Sequence, residues 1–505
     1  LASINNFEKG LDTPTNTSYM SWFSVDSNIN YRYESADALL AHPEVLSIMI
    51  RHHFQNQVPR LQILDQYYKA KNTTIMKRPN RKDDERADYR IANNFGKVIS
   101  QFMVGYMTGN SIQVADKDDQ NIDKMIADVN DVNDADSENS DLALDLSKYG
   151  RAYELLWRDE EDQDRFALSN VFETFVIYDT TIERKPIMAV RYPRLGFATD
   201  GQETVQPIVY TADAVYTFPV TPLGSITLKA EQAVTEPHRF GGVPIVEFSN
   251  NRFRSGDYED VIPLIDAYDA AQSDLANYMT DLNDAMLWLN GDWTKAGWTA
   301  EDLVALKKAN ILATTDAVGP DGSRYPTTAQ YIYKQYDVTG TEAHLKRLVD
   351  DIHTMSNVPD LNDTNFSGTQ SGESMKYKLL GLDQVCGVKA KMFKHGLLRR
   401  YKLIMSLRAG IKELSKVDTT GISINFSYNL PKAITSDLQA YTAAQGEISE
   451  KTLMGLFPSI IPNPDAEIKA LDKAAGGKRQ QGFMSDEEKA RAFKQSGQQT
   501  QGEQQ

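Results

Sequence analysis

The chain has a single cysteine, Cys386, which rules out an internal disulfide framework. Set within an apolar helical pattern, that thiol reads as a core residue rather than a reactive one. Long apolar runs are also missing. Val98–Ala115 carries no charge, but it contains Asn, Gln, Ser and two Gly, so it reads as a buried helix ending near Gly109 and then a strand. The first twenty residues lack the apolar core of a signal peptide, and the initial Leu rather than Met suggests trimming. A soluble protein of a reducing compartment, with no membrane partner, is expected. Gly96-Lys97 and Gly477-Lys478 lack both the glycine spacing and the Ser or Thr of a phosphate-cradling loop, so ATP hydrolysis is not expected. The seven histidines fall in no zinc spacing and no GxSxG elbow is present, so no cofactor, metal or catalytic residue is assigned.

Positive charge is absent from one long stretch. Gly256–Trp293 holds neither Lys nor Arg, and eight carboxylates fall between Asp257 and Asp284. Val261, Leu264, Ile265, Tyr268, Ala271, Leu275, Met279, Leu282, Met286 and Leu289 recur at helical spacing, which predicts a helix from about Pro263 to Leu287, about 37 Å long. Glu259, Asp266, Asp281 and Asp284 fall opposite that stripe, flanked by Asp269 and Asp274. Like charges four apart repel, and nothing nearby in the sequence relieves them. The pairs Asp266/Asp269 and Asp281/Asp284 could hold Mg²⁺ for phosphodiester cleavage, although a two-metal site normally gathers carboxylates from several elements.

With 505 residues and 41% hydrophobic content, the chain can build about three structural units. Its net charge of −16 argues against a surface that clamps nucleic acid overall, but not against one that lets it pass. Residues up to about 35 read as mobile. Helical patterns follow at 36–68 and 84–107, then an acidic helical region at 116–146. From Tyr149 to Phe248 the period shifts to two, as antiparallel strands require, making the first unit α+β. A turn-rich segment with Trp288, Trp293 and Trp298 leads to an amphipathic helix, Glu342–Ser356. The polar stretch Asp360–Gly372 reads as an exposed loop. Beyond it, a helix of about Glu373–Leu414 bears ten Lys or Arg between Lys376 and Lys412, with Gly381 and Gly387 as possible bends. A strand-like Ile422–Pro431, a helical coda and a Gln-rich tail expected to be disordered complete the chain.

Several blocks in chain order, namely YRIANNFGKVISQFMVGYMTGNSIQV, YGRAYELLWRDE, VPIVEFSNN with the acidic helix after it, and NLPKAITSDLQAYTAAQGEISEKTLMGLFP, resemble the SPP1-type portal proteins of tailed bacteriophages. The resemblance covers roughly residues 40–470. It implies a portal fold: an α+β wing (1–255), a two-helix stem (256–287 and 341–357), a small α/β clip (288–340), a tunnel loop (358–373), a long kinked basic helix returning to the wing (374–428), a helical crown (429–478) and a disordered tail (479–505).

The family resemblance further implies a ring of about twelve copies at a capsid vertex, through which double-stranded DNA is packaged and ejected. Its implied partners are the terminase large subunit, the major capsid and scaffolding proteins, and a head-completion or adaptor protein, in a virion assembled in the bacterial cytoplasm. On this placement the tunnel loop offers Asn362, Asp363, Thr364, Asn365, Phe366, Ser367 and Thr369, and the clip offers Trp293, Trp298, Lys307 and Lys308 to partners. The acidic face would line or flank the bore and keep DNA mobile, because basic rings would hold phosphates tightly. Cations of the long helix either neutralise acidic faces of neighbouring subunits or touch DNA. Two other readings remain: a metal-dependent nuclease using the aspartate pairs, and a virion ring or scaffold protein that never meets DNA.

Overall fold

The structure, a computed structural model, describes residues 25–79, 87–117, 119–195, 203–281, 286–290, 302, 305–306, 309, 311–314, 328–332, 337–360, 378–411, 417–428, 441–444, 449–456, 461 and 464–474. Helices and sheets mix along the chain, as the α+β reading requires. The mobile reading of the N-terminal stretch fails for residues 25–35. Tyr31 is buried at 2% exposure and Tyr31–Arg32 adds a parallel edge to Thr174–Tyr178. The Asn28 carbonyl oxygen accepts from Arg151 Nη2 at 3.3 Å.

That edge opens a six-stranded sheet continuing through Pro186–Arg191, Ile208–Tyr210, Ala214–Thr217 and Val234–Pro237, antiparallel throughout. Helices Ala36–Leu40 and Pro43–His52 lay Leu39, Leu46 and Ile50 over Phe175, Met188 and Val190. Pro59 has no N–H to give, and the chain widens into a π turn at His53–Gln57 just before helix Val58–Tyr68. Helix Phe95–Thr108 stops at Gly109 and strand Gln113–Asp116 follows, as expected.

A second sheet pairs Ile245–Ser249, Arg151–Arg158 and Asp164–Ser169, with Val246 opposite Glu154 and Leu156 opposite Phe166. Gly150, at φ 81°, ends helix Ala135–Tyr149; a Cβ there would lie 2.1 Å from the Arg254 carbonyl oxygen. Over this sheet runs the basic helix, Leu380–Gly410, as one helix of 31 residues with no interruption at Gly381 or Gly387. Phe393, Leu397 and Tyr401 join Ala152, Val246, Phe248 and Phe166 in one core cluster. Gly396 allows the close approach, since a Cβ would meet the Phe248 ring at 2.3 Å.

The acidic helix is Ile262–Asp281, shorter than expected at its C-terminal end. Met286–Asn290 is a strand, the middle of a three-stranded sheet with Ile311–Thr314 parallel and Thr328–Ile332 antiparallel. Met286 and Leu289 therefore continued the helical spacing by coincidence, as short apolar runs allow. Helix Val338–Ser356 returns along the acidic helix and stops at Asn357 in the left-handed conformation. The expected helix at 84–107 begins only at Phe95, and residues 87–94 form an extended strip instead. Cys386 is buried beside Met103, and burial pushes its thiol up to about 12, as a core residue requires.

Two expectations follow. Arg400 is fully buried and its guanidinium clasps Glu154 at 2.6 and 2.8 Å, so Arg400→Ala should cost about 3–5 kcal/mol in urea unfolding by stranding a buried carboxylate. The double variant Arg400→Met/Glu154→Leu should cost less than that single change. Burial, opposed by Lys148 and aided by Asp141 and Asp65, pushes the Asp145 carboxyl up to about 7. A raised folded-state value means its contribution to stability is present below the unfolded value of about 4 and lost as pH rises through about 7. Asp145→Asn should therefore be the more stable form above about pH 7, with the difference shrinking as pH falls from about 7 to about 4 in paired pH-dependent melts.

Candidate functional site

The acidic helix carries a buried polar row. Along Ile262–Asp281 the fully buried positions are Ile262 and Ile265, then Asp269, Ser273 and Asn277. Three short polar side chains four residues apart make a single line along the helix. Facing them is the extended strip, whose backbone has no sheet partner. The Asn93 N–H donates to Asp269 Oδ1 at 2.9 Å, the Ile91 N–H to Ser273 Oγ at 2.9 Å, and the Tyr89 N–H to Asn277 Oδ1 at 2.6 Å. In return Asn277 Nδ2 donates to the Tyr89 carbonyl at 3.2 Å, while the single Ser273 hydroxyl proton goes to the Asp269 carbonyl one turn back at 2.7 Å. Every second strip residue meets every fourth helix residue, running antiparallel. The spacings nearly agree: four helical residues rise about 6 Å and two extended residues span about 6.6 Å.

Asp269 is the deepest of the row at 0% exposure. It also accepts from Asn93 Nδ2 at 2.8 Å and, at its other oxygen, from Asn72 Nδ2 at 2.8 Å. Burial holds its carboxyl above the ordinary aspartate range, against the opposing pull of those hydrogen bonds. Asn72 in turn caps helix Thr73–Met76 through the N–H groups of Thr74 and Ile75. Asp266 accepts from Tyr67 OH at 2.6 Å and from Thr74 Oγ1 at 3.0 Å. Glu259, just before the helix, is gripped by Arg60 through Nε at 2.9 Å and Nη2 at 2.5 Å, and Arg60 itself is 2% exposed. Asp257 pairs with Lys389 of the basic helix at 2.5 Å.

These contacts correct the picture of an unrelieved acidic face. Glu259, Asp266 and Asp269 point into the molecule and are satisfied there, by a cation in one case and neutral donors in the others. Asp274 remains exposed, with Arg78 at 3.8 Å. Asp281 closes the helix but its side chain lies outside the described residues, as does Asp284. The helix also turns two faces inward rather than one. Ile265 sits in a core with Tyr149, Ile352 and Leu382, while Leu264 and Tyr268 are only partly covered and Met279 is 45% exposed.

The basic helix is corrected in the same way. Lys389, Arg400 and Arg408 are neutralised within the chain, by Asp257, Glu154 and Asp164. They are not available to a neighbour or to DNA. Lys391 and Lys402 remain exposed. The loop residues Asn362, Asp363, Thr364, Asn365, Phe366, Ser367 and Thr369, and Trp293, Trp298, Lys307 and Lys308, lie outside the described residues. Sequence reasoning missed the strip at 87–94 and the Arg60–Glu259 clasp. The signal was present in the four-residue repeat Asp269, Ser273, Asn277, three poor helix formers that bind backbone readily.

The family described as Phage portal protein, SPP1 Gp6-like, matches residues 49–481. A portal protein of Clostridium phage phiCD119 is 25% identical over 434 residues, 81% of this chain and 91% of that protein. Among solved structures, the neck of an empty GTA particle computed with C6 symmetry aligns with 11% identity and a TM-score of 0.37, covering 72% of this chain and 88% of that one. The chain belongs to the phage portal protein family. Among the described residues no helix is long and apolar enough to cross a membrane, and no cluster of three metal-ligating side chains occurs.

The polar row makes a graded expectation. Asp269→Ala strands the Asn93 and Asn72 donors in a dry site and should cost about 2 kcal/mol or more, whereas Asp274→Ala should stay within about 0.5 kcal/mol. Equal shifts in the two thermal or urea midpoints would contradict the arrangement.

Proposed function

We propose that the chain is the subunit of a ring of about twelve copies at a capsid vertex, forming the channel through which double-stranded genomic DNA enters and leaves. The observation that carries this reading is the family match across residues 49–481. Within the ring, the acidic helix and Val338–Ser356 are the stem, the three-stranded sheet around Met286–Asn290 belongs to the clip, and Asp360–Gly372 is the tunnel loop. The clip docks the terminase large subunit during packaging and a head-completion protein afterwards. Major capsid and scaffolding proteins surround the wing.

The repulsive lining takes a narrower form than the sequence suggested. Carboxylates nearest the wing are spent on holding the helix, so repulsion of a passing duplex falls to Asp274 and to the acidic residues beyond it. We read the protein as non-catalytic. The Asp266/Asp269 pair offers little to a metal, because its oxygens already accept from Tyr67, Thr74, Asn72 and Asn93.

Light scattering of the purified chain should give a mass of about twelve subunits, and negative-stain images should show a central hole. A stable monomer with no annular form sinks the reading. Deleting 361–372 should leave ring assembly intact and abolish DNA packaging; normal packaging would remove the tunnel-loop assignment and favour a ring that does not touch DNA. Mg²⁺-dependent cleavage of duplex DNA that disappears in Asp266→Ala would restore the nuclease.

A further inference from the structure

We propose that the cavity between the basic helix, the strand Ile422–Asn425 and the C-terminal helices Glu450–Leu456 and Pro464–Ala474 binds phosphate groups, with Lys391 and Lys394 as its cations. The cavity holds about 420 Å³ and is lined by Lys391, Lys394, Asn425, Ser427, Tyr428 and Gly455, among others. That volume falls within the range of small-ligand sites, about 300–1,000 Å³.

Cations along the basic helix differ in what they meet. Lys389, Arg400 and Arg408 each have a carboxylate at 2.5–2.6 Å. Among the described residues, neither Lys391 nor Lys394 has one, although the chain carries 70 acidic against 54 basic residues. These two neighbouring cations, without a carboxylate among the described residues, share the wall of one cavity. Ser427 adds a hydroxyl whose oxygen is buried without a hydrogen-bond partner. Its backbone is fixed, because the Ser427 carbonyl accepts from Asn110 Nδ2 at 3.0 Å. Tyr428 is held by stacking on Tyr106, ring centroids 5.1 Å apart. Asn425 ends the strand paired with Gln113–Asp116.

The wall therefore sets two ammonium groups, a hydroxyl and an amide among the apolar residues Ala390, Ile424 and Phe426. A phosphate oxygen is an acceptor that such a set satisfies, with charge-assisted bonds from the lysines. Lys391 is exposed and Lys394 half-buried, so the site opens to solvent. A duplex backbone and a free phosphate compound share this chemistry. Where duplex phosphates occupy it, two lysines per copy retard DNA rather than ease its sliding, which suits retention of a packaged genome. The duplex arm of the test rests on the channel reading; the pyrophosphate arm does not.

The full chain is titrated with inorganic pyrophosphate by calorimetry and with a short labelled duplex by fluorescence anisotropy across a salt series. Lys391→Gln/Lys394→Gln should weaken pyrophosphate binding by about tenfold or more, and Ser427→Ala by about threefold. Duplex affinity should fall less steeply with log salt, the slope dropping by about 0.9 for each lysine removed. Lys124→Gln, which deletes an exposed charge on the separate helix Gln120–Val132, should change neither. Duplex binding without pyrophosphate binding assigns the site to nucleic-acid backbone; pyrophosphate binding that the duplex does not displace assigns it to free phosphate compounds. Unchanged binding of both ligands in the double variant, or an equal loss in Lys124→Gln, overturns the proposal. Loss of pyrophosphate binding in a chain that forms no ring leaves the site standing while the channel reading falls.

Discussion

A half-buried backbone strip that joins no sheet must find hydrogen-bond partners elsewhere, and in this protein they come from the side of a helix. Asp269, Ser273 and Asn277 supply to residues 89–93 what a neighbouring strand would otherwise supply. Much of the central packing follows. Because the strip is tied to the acidic helix, helix Phe95–Thr108 is delivered against Leu61, Leu64 and Tyr67, and Asn72 is drawn in to finish the Asp269 carboxylate. The Tyr67 hydroxyl and the Arg60 guanidinium then fasten the same helix at Asp266 and Glu259. One end of the acidic helix is thus locked to the α+β body along about three turns.

Charge has been distributed by depth. Both charged helices use inward-facing ionic groups to hold themselves in place, the acidic one through Asp269 and through Glu259 in the turn before it, the basic one through Lys389, Arg400 and Arg408. A buried ion pair adds little net stability over an apolar pair but costs heavily when one partner is misplaced. Such pairs therefore fix one arrangement of helix on sheet. Arg400 shows this most fully: Nε and Nη2 meet Glu154, Nη2 also donates to Asn139 at 2.9 Å, and Cζ lies 4.1 Å from the Phe166 ring centroid. What remains for other molecules is the outer residue of each helix.

The sequence made the order of elements legible because hydrophobic period is a local property. The α+β body, the stop at Gly109, the return helix and the buried Cys386 all followed from spacing and turn chemistry. Three things did not. The C-terminal end of the acidic helix was overrun because Met286 and Leu289 fit a helical stripe as well as a strand. Residues 87–94 were read as helix because nothing local reveals that their partner lies some 180 positions away. Of the carboxylates of the candidate site, Glu259, Asp266 and Asp269 were aimed wrongly, since a sequence shows charge without showing which donors fold back onto it. Arg60 and Glu259 are 199 residues apart, and no pattern in either neighbourhood announces the other.

The clasp between helix and strip also works as a vernier. Two rulers graduated at about 6 Å and about 6.6 Å drift by about 0.6 Å with each pair, so reach is exhausted within a few rungs however long the elements run. Three rungs, at 277, 273 and 269, sit inside that tolerance. An inserted residue in either ruler would throw every rung beyond it out of phase, so this stretch should tolerate point changes far better than changes of length.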